Sequence, residues 1–197
     1  MEKVWLKNYP KGVPENINPD KYQSLVALIE ESLDKHADKD AFTNFGVTLT
    51  FKELDEKSKQ IASYLQHSLH LKKGARVAIM MPNLLQYPIA LYGILRAGMV
   101  AVNVNPMYTS RELRHQLSDS GAEAIFILAN FAHVLEDVVD ETPVKGIIVT
   151  QVADLCPWPK RTLINGLVKY VNKLVPAFNF PNFDCFLTAM DKGAHKT

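Results

Sequence analysis

A few groups of residues in this chain have types and spacings that could do chemistry. Gly93-Ile-Leu-Arg-Ala-Gly98 has the glycine spacing of a phosphate loop, yet Met99-Val100 stand where a Lys-Ser/Thr pair would reach phosphate and magnesium. A phosphate loop also precedes its helix, so that backbone N–H groups and the positive dipole end face the anion. Gly98 instead follows an apolar helical run, which predicts a C-cap there and close packing at Gly93. His67 and His70 sit near a predicted helix end with no third ligand nearby in sequence, and read as a solvated pair favoured by the dipole. Ser118-Asp119-Ser120-Gly121 reads as a helix end and turn. No GxSxG elbow occurs, so serine-hydrolase chemistry has no support. Cys156 and Cys185 are far apart and outside any CxxC pattern, and read as reduced thiols. The residues thus assign no catalytic, cofactor-binding or metal position.

Composition narrows the classes further. The 197 residues suit one domain with a proper core, and 47% hydrophobic with 22% charged residues fits a globular chain. A net charge of +1 without a basic block gives no reason to expect a nucleic-acid partner. MEKVWLKNYP lacks the apolar core of a signal peptide, so the cytosol is the default expectation. Tyr87–Val104 is apolar, but Pro88, Gly93, Arg96 and Gly98 interrupt it, and helix–turn–strand is the better reading than a membrane span.

The elements around these residues follow from periodicity and caps. Residues 1–21, with Pro10, Pro14 and Pro19, predict an extended arm. A helix is expected from about Tyr22, with Leu25, Leu28, Ile29 and Leu33 on one face. Ala41–Phe45 and Val47–Thr50 predict a hairpin turning at Gly46. Thr50-Phe-Lys-Glu53 is a capping box opening a helix with Leu54, Ser58, Ile61, Leu65 and Leu69 on one face, closed off by Gly74. Strands are expected at Arg76–Met81, Met99–Val104, Ala124–Ala129 and Gly146–Thr150. Between them fall a helix capped by Asn83 and running to Ala97, a second opened by the Thr109–Glu112 capping box, and an amphipathic helix over Phe131–Val139. This alternation predicts an α/β fold over 22–150: a doubly wound, largely parallel sheet with helices on both faces. The helix at 84–97 is apolar all round, so it needs cover on a second side, and a companion domain would supply it.

Residues 151–197 differ in character. Cys156-Pro-Trp-Pro159 marks a break, and a basic amphipathic helix is expected at 161–175. Its wheel places Leu163, Ile164, Leu167, Val168, Val171, Leu174 and Val175 on one arc, opposite Asn165, Lys169, Asn172 and Lys173. No acidic residue occurs between Asp154 and Asp184. Such a helix either packs its apolar arc on the domain, the commoner outcome, or lies on an anionic membrane surface. A short terminal helix is expected to end near Gly193.

The order of short segments resembles the start of the AMP-forming acyl-CoA ligases, and among them the bacterial long-chain fatty-acyl-CoA ligases. The residues concerned are Val4–Pro10, Leu49-Thr50-Phe51, Met81-Pro82-Asn83, Arg96-Ala97-Gly98, Asn105-Pro106-Met107-Tyr108-Thr109 and Ser120-Gly121-Ala122. The resemblance implies the first subdomain of the adenylate-forming ligase fold. It also implies a parent enzyme that uses ATP, Mg2+ and CoA to convert a long-chain fatty acid to its acyl-CoA through an acyl-adenylate. In that family the phosphate-gripping loop and the catalytic motifs lie beyond the stretch matched here, so no family residue carries over. The chain is therefore expected to be the N-terminal part of such a ligase, inactive by itself, with the remainder of the ligase packed against helix 84–97. A cytoplasmic location is expected, with possible docking of 161–175 on the inner membrane face. A sister ligase for another carboxylic acid and a non-catalytic membrane-docking remnant are the alternatives.

Overall fold

The computed structural model describes residues 2–196. Its helices are α1 (Leu25–Lys35), α2 (Phe51–His67), α3 (Gln86–Arg96), α4 (Ser110–Ser120), α5 (Ala132–Glu136), α6 (Lys160–Gly166) and α7 (Phe186–Ala194). Its strands are β1 (Asp40–Asn44), β2 (Val47–Thr50), β3 (Arg76–Met80), β4 (Val100–Asn103), β5 (Ala122–Leu128), β6 (Gly146–Thr150) and β7 (Asp184–Cys185). β1 and β2 form an antiparallel hairpin, while the other strands make one parallel sheet in the order β4-β3-β5-β6-β7. The arm before α1 holds two short 3-10 turns with no buried residue in either.

The strand order reverses direction once, and right-handed crossovers then send helices to opposite faces. β3 to β4 steps one way, carrying α3 to one face. β4 to β5 steps back past β3, carrying α4 to the other face, and α5 follows it. Pleating divides the side chains accordingly. Val77, Ile79, Phe126 and Ile148 join Ile61, Leu65, Ile89, Ile94 and Phe186 in one core. Ala78, Met80, Ile125 and Ile127 join Leu113, Leu117 and Leu135 in the other. Both capping boxes form as the sequence predicts, with Thr50 and Thr109 each accepting from the N3 backbone and Glu53 and Glu112 reaching back.

Several boundaries differ from expectation, each for a local reason. α1 begins at Leu25, not Tyr22, because the Ser24 hydroxyl accepts from the Ala27 N–H and serves as the cap. α2 ends at His67, so Leu69 lies past the helix, and Gly74 serves the turn into β3 with φ +83° rather than closing α2. Asn83 does not cap α3: residues 82–85 turn first, and the Asn83 carbonyl accepts from Asn44 Nδ2 at 2.9 Å. Pro88 then falls in the first turn of α3, where its missing N–H has no intrahelical partner to lose. The amphipathic run Phe131–Val139 breaks up: α5 stops at Glu136, and Val139–Glu141 form a 3-10 turn. There the Asp137 carboxylate accepts from the Ser110 hydroxyl at 2.7 Å, tying the chain to the start of α4.

The companion that α3 needs on its flank is found within this chain. α2 packs along it, and Gly93 permits the approach, since a Cβ there would lie 2.5 Å from Ile61 Cγ2. What stays partly open on α3 is a strip of Tyr87, Leu91 and Tyr92, which with Phe42 of the hairpin lines a groove of about 430 Å³.

The 161–175 helix also departs from its wheel. α6 continues as a π turn over Leu167–Val171, and the chain turns out at Lys173 with φ +52°. A wider turn breaks the 3.6-residue register on which the single apolar arc depends. Ile164, Val168 and Val175 are half-buried, whereas Leu163 (64%), Tyr170 (72%), Val171 (67%) and Leu174 (56%) stand exposed. Core packing of the whole arc, the commoner outcome for such a helix, does not occur.

Candidate functional site

Parallel α/β sheets offer ligands the crevice beyond the carboxyl ends of their strands. In this chain that edge is organised by a buried polar network at the end of β6. Gln86, at the start of α3, is buried and donates to Thr150 Oγ1 at 3.1 Å and to the Gln151 carbonyl at 2.9 Å. Asp154 closes the turn after β6: its Oδ2 accepts from the Gln151 N–H at 2.7 Å and from the Thr150 hydroxyl at 3.0 Å. Its Oδ1 accepts from Asn165 Nδ2 at 3.2 Å, and Asn165 Oδ1 accepts from the Ala153 N–H at 2.9 Å. Burial raises the Asp154 pKa, opposed by the hydrogen bonds from Gln151, Thr150 and Asn165 and by the charge of Arg161. The network thus turns Asn165 inward and fixes α6 over the sheet end.

Between α6 and the ends of β5, β6 and β7 lies a groove of about 550 Å³. Val149, Val175, Phe178, Phe183 and Leu187 give it apolar walls, and Arg161 and Lys169 bring cations to it. Cys185 also lines it, and burial followed by the charges of Asp154 and Asp184 holds that thiol above its ordinary pKa. Nearby, Asp184 accepts from the Tyr64 hydroxyl at 2.7 Å and from Lys192 at 2.7 Å, pinning β7 between α2 and α7.

The residues with chemical spacing are dispersed elsewhere. Gly93 sits inside α3 against Ile61, and Gly98 is a turn residue with φ +72° after the helix. His67 and His70 are exposed at the end of α2 and just beyond it, and Gly121 holds the left-handed C-cap of α4 with φ +65°. Cys156 is a buried free thiol and Cys185 an exposed one. Among the described residues no three His, Cys, Asp or Glu side chains converge as a metal site would require. These residues do not fit a nucleotide or magnesium site. Sequence reading missed Gln86, Thr150, Asp154 and Asn165, which no motif links. The isolation of Asp154 ahead of a long carboxylate-free stretch was the one available signal.

Comparison with known proteins bears on the family and the fold. The chain is 56% identical over 193 residues to a long-chain-fatty-acid–CoA ligase of Escherichia coli O157:H7, an alignment covering 98% of this chain and 34% of that protein. The chain therefore spans about a third of the length of the curated relatives it matches. Its fold superposes on the crystal structure of a long-chain-fatty-acid-CoA ligase from Archaeoglobus fulgidus with a TM-score of 0.61 at 29% identity, covering 72% of this chain and 29% of that one. It likewise superposes on an anthranilate CoA ligase in complex with anthranoyl-AMP, with a TM-score of 0.68 at 17% identity over 86% and 28% of the two chains, a likeness of fold alone. The family model described as AMP-binding enzyme matches residues 29–174, from within α1 to beyond the π turn that follows α6, and the chain belongs to that family.

Proposed function

We propose that this chain is the N-terminal part of a long-chain fatty-acid–CoA ligase that consumes ATP and CoA with Mg2+ and proceeds through an acyl-adenylate. The observation that carries the reading is the 56% identity sustained over 193 residues with a long-chain ligase. Within such an enzyme these residues build one sheet and its two helical layers, and phosphate and carboxylate chemistry fall to the rest of the polypeptide. The 197-residue chain alone is then expected to release no pyrophosphate from ATP with any fatty acid. A chimera in which this chain replaces the matching third of the Escherichia coli ligase tests the reading, with oleoyl-CoA formation as the readout. Turnover with oleate supports it. A folded chimera active with benzoate but not oleate would instead favour a sister ligase, and one inactive with every acid would overturn the assignment.

Two surfaces give this part its partners. The open strip of Tyr87, Leu91 and Tyr92 takes the remainder of the ligase, because an apolar groove beside a buried helix is left half covered by this chain. The exposed Leu163, Tyr170, Val171 and Leu174, with Lys169 and Lys173 among them, suit the headgroup layer of an anionic bilayer. No helix among the described residues is long and apolar enough to cross a membrane. Flotation with phosphatidylglycerol vesicles that weakens with salt and with Lys173→Glu supports bilayer docking. No flotation at low salt ends the membrane reading.

A further inference from the structure

β4 stands at the end of the strand order, with no strand on its outer side among the described residues. Val100 and Val104 turn their N–H groups to β3, donating to the Ala75 carbonyl at 2.9 Å and the Ile79 carbonyl at 3.0 Å. Backbone groups alternate in direction along a strand, so those of Ala101 and Asn103 face away from β3. There the Asn103 carbonyl accepts from Gln116 Nε2 at 2.9 Å, and the Asn103 side chain accepts from the Tyr87 hydroxyl at 2.9 Å. The Ala101 N–H and C=O and the Asn103 N–H meet no protein group among the described residues.

Proteins commonly blunt an open sheet edge with charge, proline, a bulge or extreme shortness. β7, the opposite edge, is two residues long and carries the charged Asp184. β4 has none of these devices. Val100-Ala101-Val102-Asn103 is uncharged, contains no proline and pairs with β3 without a break in register. Val100 leaves 48% of its surface open, and Asn103 is exposed. Its valines suit a further strand pairing.

We infer that β4 pairs with β4 of a second copy of this chain, joining two sheets into one. The pairing is antiparallel about a two-fold axis at Val102, which sets Ala101 of one copy opposite Asn103 of the other. Residues so placed exchange both N–H···O=C bonds. Each open donor then finds an acceptor, because the Asn103 carbonyl keeps a second lone pair beside Gln116. A two-fold contact demands a surface complementary to itself, and an edge whose free groups fall evenly about Val102 meets that demand. A second copy fits this edge better than a later strand of the same polypeptide. α7 packs on α2 and beside β6 and β7, so polypeptide continuing from it sets out at the far edge of the sheet. Successive elements are usually neighbours. The short, charged β7 edge offers no matching ladder, so association closes at the dimer.

The test is sedimentation equilibrium of the 197-residue chain over a concentration series, with amide exchange followed by NMR on the same samples. A reversible monomer–dimer equilibrium is expected. The Ala101 and Asn103 amides should exchange fast in dilute protein and slow as the dimer forms, while those of Val100 and Val104, bonded to β3 in both states, keep their rates. Ala101→Pro removes an outward N–H, which an edge strand tolerates, and should abolish the dimer with the fold kept. Val100→Lys, at an exposed side chain, is the second block should the proline variant melt early. Leu163→Asp, on the exposed face of α6, should leave the dimer intact. A chain that stays monomeric up to its solubility limit overturns the inference and leaves the edge to a later strand of the polypeptide. A dimer that survives a folded β4 variant, or one lost with Leu163→Asp, overturns it equally. None of these results bears on the chimera's turnover.

Discussion

Arg96 is nearly withdrawn from solvent, with 6% of its side chain exposed, and its Nη2 donates to Asp55 Oδ1 at 2.5 Å across the α2–α3 contact. Asp55 also accepts from Lys59 at 2.6 Å. Burial works to raise the Asp55 pKa, but the hydrogen bonds from Lys59 and Arg96 outweigh it and hold the carboxyl below 3.8. Asp55→Ala would strand a buried guanidinium and is expected to cost about 3 kcal/mol in urea unfolding at pH 7. Because the folded-state pKa is the lower one, this stabilisation is complete above the unfolded value near 3.8 and fades as pH falls through the folded value. The gap between wild type and Asp55→Ala should accordingly close only in acid, and a gap that closes at neutral pH would contradict the ion pair. Two glycines make an opposite pair. A Cβ at Gly193 would stand 1.9 Å from the Gln60 carbonyl oxygen, backbone against backbone. Gly193→Ala should therefore push α7 off α2 and cost about 1–3 kcal/mol. Gly166→Ala meets open space in a helix and should gain about 0.5–1 kcal/mol. Thermal melts of the two variants should move in opposite directions.

The helices differ in how they use their apolar faces. α4 buries Leu113 and Leu117 completely against the sheet, so Leu117→Ala is expected to cost about 2–5 kcal/mol. α6 holds on by Asn165 and a few half-buried residues, while Leu163 on it and Leu174 beyond the π turn contribute exposure rather than packing. Leu163→Asp should then leave the denaturation midpoint within about 0.5 kcal/mol of wild type, as at other surface positions. A larger loss would mean that α6 packs on the domain through that arc. α3 stands between these cases. Sheet and α2 cover two of its sides, and only the strip through Leu91 is left to solvent.

At the scale of the whole molecule, the reversal in strand order explains why two cores exist and why each helix sits where it does. It also explains where open surface collects. The partly open strip on α3 borders the hairpin, and the start of α6 reaches the same hairpin, where Lys160 Nζ donates to the Phe45 carbonyl. The isolated chain should bind an apolar reporter dye through the α3 strip, and Leu91→Lys should reduce that signal while Leu163→Asp leaves it unchanged. Equal loss from both changes would place the dye elsewhere.

Signals confined to a few neighbouring residues are legible in the sequence by itself. The two Thr–Glu capping boxes, the left-handed C-cap at Gly121, the hairpin at Gly46 and strand β6 stand where the residues put them, because each depends on contacts within a turn or on a local apolar run. The parallel, doubly wound class follows from the alternation of such signals. What the tertiary structure decided was everything set between distant residues. α2 reaches α3 to supply the cover that α3 needs, and Asp184 forms a strand of two residues because β6 offers a ladder and Tyr64 a hydroxyl. Asn165, placed on a polar face by its helical wheel, turns inward because a buried Asp154 needs its donor. A wheel counts hydrophobicity along one element and cannot register an unsatisfied carboxylate on another. The groove exists for the same reason: its walls come from β5, β6, α6 and the chain around β7, and no local pattern in any of them specifies the space between.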